Sequence, residues 1–128
     1  MAHHCPSLTG IKLPDGIRTL PMDLLACCTR LQEVVMPDSL ERIERGVFWE
    51  CSQLPEITLP ATVKYIGEFS FFHCDKLRHV YLHAPTPPEM TNAFQAKGGI
   101  VTIHVPRASV NLYRQHLYWK RQNIVGDL

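Results

Sequence analysis

"LQEVVMPDSLERIERGVFWECSQ", residues 31–53, lies over "LPEITLPATVKYIGEFSFFHCDK", residues 54–76, without a gap. "LTGIKLPDGIRTLPMDLLACCTR", residues 8–30, lies over both. The shared positions are apolar. Leu8, Leu31, Leu54 and Leu77 open the units, followed by Ile11, Val34, Ile57 and Val80, then Leu13, Met36, Leu59 and Leu82. Further along, Ile17, Leu40 and Val63 align, as do Leu20, Ile43 and Ile66, then Leu25, Phe48, Phe71 and Phe94. The period is 23 residues. A unit of that length buries its apolar side only by stacking on its neighbours, which places identical positions above one another in a continuous core.

Each unit begins with alternation: Ile11 and Leu13 flank Lys12, and Ile57 and Leu59 flank Thr58. Period two predicts a short strand. Pro14, Pro37 and Pro60 follow the run, and a residue without an N–H ends ladder bonding there. Units related by translation give parallel strands, so one curved sheet with irregular or short helical returns is expected. The single domain divides into a partial repeat at 1–7, full repeats at 8–30, 31–53 and 54–76, a degenerate repeat at 77–99 and a closing segment at 100–128. In the degenerate unit Pro85, Pro87 and Pro88 break the pattern, and Lys97 replaces the column cysteine. The register reappears at Ile100, Ile103 and Val105, followed by Pro106. A helix capped by Ser109 is then expected, with Val110, Tyr113 and Leu117 over the open end of the core and Trp119 and Ile124 sealing its edge. Residue 1 falls inside a unit, with Ala2 in the phenylalanine column, so the expectation is either a fragment of a longer ladder or a first full strand that is an exposed edge covered by a short local arm or another molecule.

Cys5, Cys28, Cys51 and Cys74 occupy one column. Parallel rungs about 4.8 Å apart hold equivalent Cβ atoms too far apart for an unstrained disulfide, which needs about 3.5–4.5 Å. Zinc requires ligands converging tetrahedrally, which one-dimensional stacking does not supply. The column therefore reads as a structural ladder of buried thiols. Cys27 lies outside it and reads as a small residue in a turn.

With 128 residues, 45% hydrophobic composition and a formal charge of +1, one soluble core is expected. Near-neutrality removes the attraction on which nucleic-acid binding depends. Nothing resembles a membrane-spanning run, so no membrane insertion is expected. The opening "MAHHCPSLTG" shows no basic stretch followed by an apolar core.

The combination Leu-x-x-Ile-x-Leu-Pro and Ile-Gly-x-x-x-Phe-x-x-Cys, clearest as "IGEFSFFHC" at 66–74, resembles the BspA-like leucine-rich repeats of gut and oral Bacteroidetes surface proteins. "PTPPEMTNAFQ" followed by "IHVPRASVNLYRQHLYWKRQNIV" is similar to the closing segment of those proteins. The resemblance covers essentially the whole chain. It implies a leucine-rich repeat solenoid with a C-terminal helical cap, a surface or secreted setting, and adhesion to host or neighbouring-cell proteins, extracellular matrix among them. The commoner leucine-rich consensus has Asn or Cys shortly after the strand, where this chain has Gly16, Ser39 and Thr62.

Binding residues are expected on the outward face of the sheet. One lane holds Lys12, Val35, Thr58, Tyr81 and His104; its neighbour holds Gly10, Glu33, Glu56, His79 and Thr102. Glu33 and Glu56 on adjacent rungs form a carboxylate pair, but a solvated charged face is the plainer reading. His79, His83 and His104 raise a metal site, yet an i, i+4 pair converges poorly along a strand, so an aromatic and imidazole contact patch is preferred. His3 could chelate Cu(II) or Ni(II) through the amino terminus, although a plain terminus is the simpler reading. Arg107, Arg114, Lys120 and Arg121 make the closing segment locally basic. There is no phosphate loop and no nucleophile–base arrangement. The expectation is a non-catalytic protein-binding module without cofactor or metal. Its alternatives are a spacer block of a longer ladder, self-associating through its amino-terminal edge, or an intracellular interaction scaffold.

Overall fold

The computed structural model describes residues 5–94 and 101–128. Expectations for Ala2, His3, Lys97 and Ile100 lie outside those residues. The strands, in chain order, are β1 (Gly10–Lys12), β2 (Thr19–Leu20), β3 (Glu33–Val35), β4 (Arg42–Ile43), β5 (Glu56–Leu59), β6 (Tyr65–Ile66), β7 (His79–Leu82), β8 (Glu89–Met90), β9 (Thr102–His104) and β10 (Asn123–Val125). A short helix, α1 (Val110–Gln115), lies between β9 and β10.

Every strand pairing is parallel, as translation of a repeated unit requires, but the single expected sheet is two ladders. One carries the outward lanes and is built from β1 and β3, then β5, β7, β9 and β10. The other, β2-β4-β6-β8, runs through the returns that were expected to be irregular or helical. Its strands are only two residues long, too short for alternation to reveal them. Leu20, Ile43, Ile66 and Met90 on these strands face the core and are buried.

β3 and β5 lie side by side without ladder pairing. Elsewhere the residue before the strand bonds to the previous rung: Gln32 N–H to the Thr9 carbonyl, 2.8 Å, and Arg78 N–H to the Pro55 carbonyl, 2.9 Å. Pro55 stands at the corresponding position before β5 and has no N–H to give, so the bond to Gln32 cannot form.

The core is a set of stacked columns. Phe48, Phe71 and Phe94 stack with centroids 5.3 and 5.0 Å apart and planes within 11°. The offset parallel geometry adds to their area burial. The cysteine ladder has a purpose beyond filling space. Cys51 Sγ–H donates to the Leu25 carbonyl at 3.3 Å, and Cys74 Sγ–H to the Phe48 carbonyl at 3.1 Å. Each thiol thus ties its turn to the backbone of the preceding unit, and none of the five cysteines is disulfide-bonded. A second tie uses hydroxyls: Ser39 Oγ–H donates to the Ile17 carbonyl at 2.8 Å and Thr62 Oγ1–H to the Leu40 carbonyl at 2.6 Å. Ser39 and Thr62 therefore serve where the commoner repeat uses asparagine.

The proline-rich stretch shifts the fourth unit by one residue without ending the stack. Met90 enters the second ladder 24 residues after Ile66, its partner, and Phe94 bridges Phe71 at the normal 23-residue spacing. The carbonyls of that loop are answered by the closing segment. Tyr113 O–H donates to Ala84 O, Ser109 Oγ–H to Pro85 O (both 2.7 Å), and Trp119 Nε1–H to Pro88 O (2.8 Å). Ser109 stands at the N-cap position of α1 as expected, but its hydroxyl makes no capping bond and is used on the loop. Tyr113, Trp119 and Ile124 are buried, but Leu117 is 59% exposed, because α1 ends at Gln115 and His116 turns extended. The last rung of the first ladder is the strand β10, beside β9.

Candidate functional face

The outward lanes are set by register. Gly10 opposes Glu33 and Lys12 opposes Val35 on β1 and β3. Glu56 opposes His79, which opposes Thr102; Thr58 opposes Tyr81, which opposes His104. The eight expected binding residues thus form two groups on one side of the ladder. Lys12, Glu33 and Val35 stand before the β3/β5 seam, and Glu56, Thr58, His79, Tyr81 and His104 beyond it. Two open depressions, 620 and 610 Å³, follow the seam, the first lined by Val34, Val35, Met36, Thr58 and His83 among others, the second by Glu33, Pro55 and Glu56 among others. Glu33 and Glu56 are exposed.

The carboxyl-terminal end of this face is organised differently from the rest. His79 Nδ1 and His104 Nε2 are 2.9 Å apart, and His104 Nδ1 lies 2.9 and 3.0 Å from the two oxygens of Asp127. Tyr81 stacks on His104 with centroids 4.6 Å apart and on His79 at 5.9 Å. The His104 side chain is 12% exposed and that of Asp127 48%. Asn123 Nδ2–H donates to Thr102 Oγ1 at 3.1 Å, holding the neighbouring pair of rungs. Asp127 stands 23 residues after His104, but β10 pairs with β9 at an offset of 21, setting Val125 opposite His104, so the repeat distance does not mark Asp127 in the sequence. Its place on the face depends on β10 continuing the ladder.

The three ring and carboxylate contacts are directed at one another. Among the described residues, no group of three or more His, Cys, Asp or Glu is arranged to hold a metal ion. His83 lines the seam instead of joining His79 and His104.

Cys27, Cys28, Cys51 and Cys74 are not activated thiols. Burial pushes Cys74 up to about 12 and Cys28 up to about 11, and it raises Cys51 strongly. Cys27, in a left-handed turn at φ +63°, is raised first by burial and then by Glu50, whose Oε2 lies 3.7 Å from its sulfur. A reactive cysteine needs the opposite, a depressed pKa in an electropositive setting. In the closing segment, Arg114 Nη2–H donates to the Ile124 carbonyl at 2.8 Å, so part of the basic run is structural.

Stacked 23-residue units with parallel strands match a BspA-type leucine-rich repeat region in six copies over residues 2–125. The chain belongs to the BspA-type leucine-rich repeat family. The fold is also that of a leucine-rich repeat protein from Bacteroides ovatus, with a TM-score of 0.70 and 23% identity over 98% of this chain and 32% of that one. A leucine-rich cell surface protein from Faecalibacterium prausnitzii gives 0.63 and 21% over 84% of this chain and 38% of that one. The chain thus spans about a third of the length of these structures. Among curated proteins nothing matches.

Proposed function

We propose that this leucine-rich repeat module is a non-catalytic, adhesin-like protein-binding unit of a bacterial surface or secreted protein. Its docking surface is the outward face of the first ladder. The observation that carries this reading is the ordered cluster at one end of that face, where Tyr81 is stacked against two imidazoles, one of them held by the Asp127 carboxylate. Rigid aromatic side chains supply contact area at low entropic cost and dominate protein interfaces. The family and the surface location of one structural relative support the setting.

The test is binding to a panel of immobilised extracellular matrix proteins. Tyr81→Ala is expected to weaken capture by about tenfold. Arg42→Ala, on the opposite ladder, is expected to leave it unchanged. Undiminished binding by Tyr81→Ala would move the site off this face.

A second reading, self-association through the amino-terminal edge, is favoured by one feature. Among the described residues β1 pairs only with β3, and Leu8, Ile11 and Ile17 beside it are half-buried where their equivalents Leu31 and Leu54, Ile57 and Val80, and Leu40 and Val63 are buried. Sedimentation over a wide concentration range tests it, and a strictly monomeric species would end it.

A further inference from the structure

We propose that the Asp127–His104–His79 chain fixes His79 Nε2 as a hydrogen-bond acceptor on the outward face, a docking point for a basic side chain of a protein partner that protonation of the same imidazole closes. The assignment deepens, and rests on, the reading of this face as protein-binding.

A carboxylate only accepts, so the 2.9 Å contact from Asp127 Oδ2 places a proton on His104 Nδ1. A neutral imidazole has one N–H, which leaves His104 Nε2 as an acceptor. The 2.9 Å separation from His79 Nδ1 is then a hydrogen bond only if His79 donates it. The single proton of neutral His79 is thereby committed, and Nε2 keeps its lone pair. An imidazole on an exposed strand ordinarily exchanges tautomers; here its neighbours choose one.

The groups around His79 suit a cation. Directly opposite on β5 is the exposed carboxylate of Glu56. On its own strand is the Tyr81 ring, with planes 19° apart. Towards β9 are His104, already an acceptor of the His79 proton, and Thr102, bonded to Asn123 of β10. Arg78, the preceding residue, directs its guanidinium at the carbonyls of Asp75 and Leu77. Lys12, the cation of these lanes, is on β1. An imidazole lone pair, a carboxylate and a phenol ring face all favour a guanidinium or ammonium group.

Acid acts on the same atom. A proton on His79 Nε2 converts the acceptor into a donor and adds a positive charge, while His79 Nδ1–H still donates to His104. Docking is lost without disturbing the chain that holds the rings.

Long-range proton–nitrogen NMR at about pH 7.5 is expected to show Nδ1–H on both His79 and His104. Titration with a hexa-arginine peptide is expected to give saturable shifts at His79, Glu56 and Tyr81, and a hexaglutamate peptide none. Affinity is expected to fall about tenfold on acidification from pH 7.5 to 5.5, and similarly in Asp127→Asn. Glu56→Gln, at an exposed position that leaves the fold intact, is expected to weaken the peptide as well. An Nε2–H tautomer on His79 at pH 7.5 overturns the proposal. So does peptide binding indifferent both to pH and to Asp127→Asn, or an absence of shifts at His79. Failure of the arginine peptide with the expected tautomers would remove the docking point yet leave capture of matrix proteins by Tyr81 intact. Loss of matrix binding with the tautomers and peptide shifts present would instead remove the wider reading.

Discussion

At the first described unit, Leu8, Ile11 and Ile17 are half-buried, whereas towards the far end Leu77 and Val80, in the columns of Leu8 and Ile11, are buried, as are Tyr113, Trp119 and Ile124. The same columns of the same repeat behave differently because each rung is covered by the rung on either side. At the carboxyl-terminal end, the cover is a non-repeating segment whose Tyr, Ser and Trp side chains reach the carbonyls of the proline-rich loop. The amino-terminal rung has no comparable neighbour among the described residues. Stability in a stack is set by nearest neighbours, so a repeated residue has a different energetic weight at each rung.

The largest test of this contrast is Trp119→Ala. It removes a fully buried ring packed on Phe94 and Tyr113 and leaves the Pro88 carbonyl unanswered. A loss of about 3–5 kcal/mol is expected in urea unfolding. A single substitution placed at two rungs sharpens it. Leu54→Ala is expected to cost about 2–5 kcal/mol, and Leu8→Ala less than about 1 kcal/mol, since Leu8 is not fully covered. Equal costs would contradict the neighbour argument.

Within the stack, Gly67→Ala asks how closely rungs approach. A Cβ there would sit 2.5 Å from the Arg45 nitrogen and 2.6 Å from the Glu44 carbonyl carbon. A cost of about 1–3 kcal/mol is expected from displaced backbone. A variant as stable as the parent would show that the units can slide apart.

The thiols provide a pH test. Folding raises the pKa of Cys74 to about 12 and of Cys28 to about 11 from the ordinary 9.0 by burial. The unfolded chain therefore releases these protons first as pH rises. Their contribution to stability is complete below about pH 9 and is lost progressively between about pH 9 and 12. Chemical denaturation across that range should show the decline, reduced in Cys74→Ala. At neutral pH a thiol reagent is expected to label the half-buried Cys5 and Cys27 well before Cys28, Cys51 and Cys74. The smallest effect is expected for Leu117→Ala, whose side chain is mostly in solvent: less than about 0.5 kcal/mol.

Much of this was legible without coordinates because a repeat multiplies the signal of each position. One Cys in an apolar stretch means little, but four at one spacing assign a place in the core, and three of those sulfurs are buried there. The same holds for the phenylalanine column and for the two lanes. The second ladder escaped because its strands are two residues long. The Pro55 interruption escaped because only a comparison of bonding between rungs shows which N–H is missed. Leu117 was misplaced because helical spacing was extended beyond a helix that ends at Gln115.

By itself the sequence determined the period, the parallel stacking and the residues of each column, since a 23-residue unit has no way to bury its apolar side except against copies of itself. The tertiary structure alone decided what meets where the repeat stops. The orientation of His79 depends on His104, that of His104 on Asp127, and that of Asp127 on a last strand continuing the ladder. Periodicity specifies neighbours one rung away, whereas a directed hydrogen-bond chain depends on the angles at which three rungs present their side chains, and those angles exist only once the stack is built.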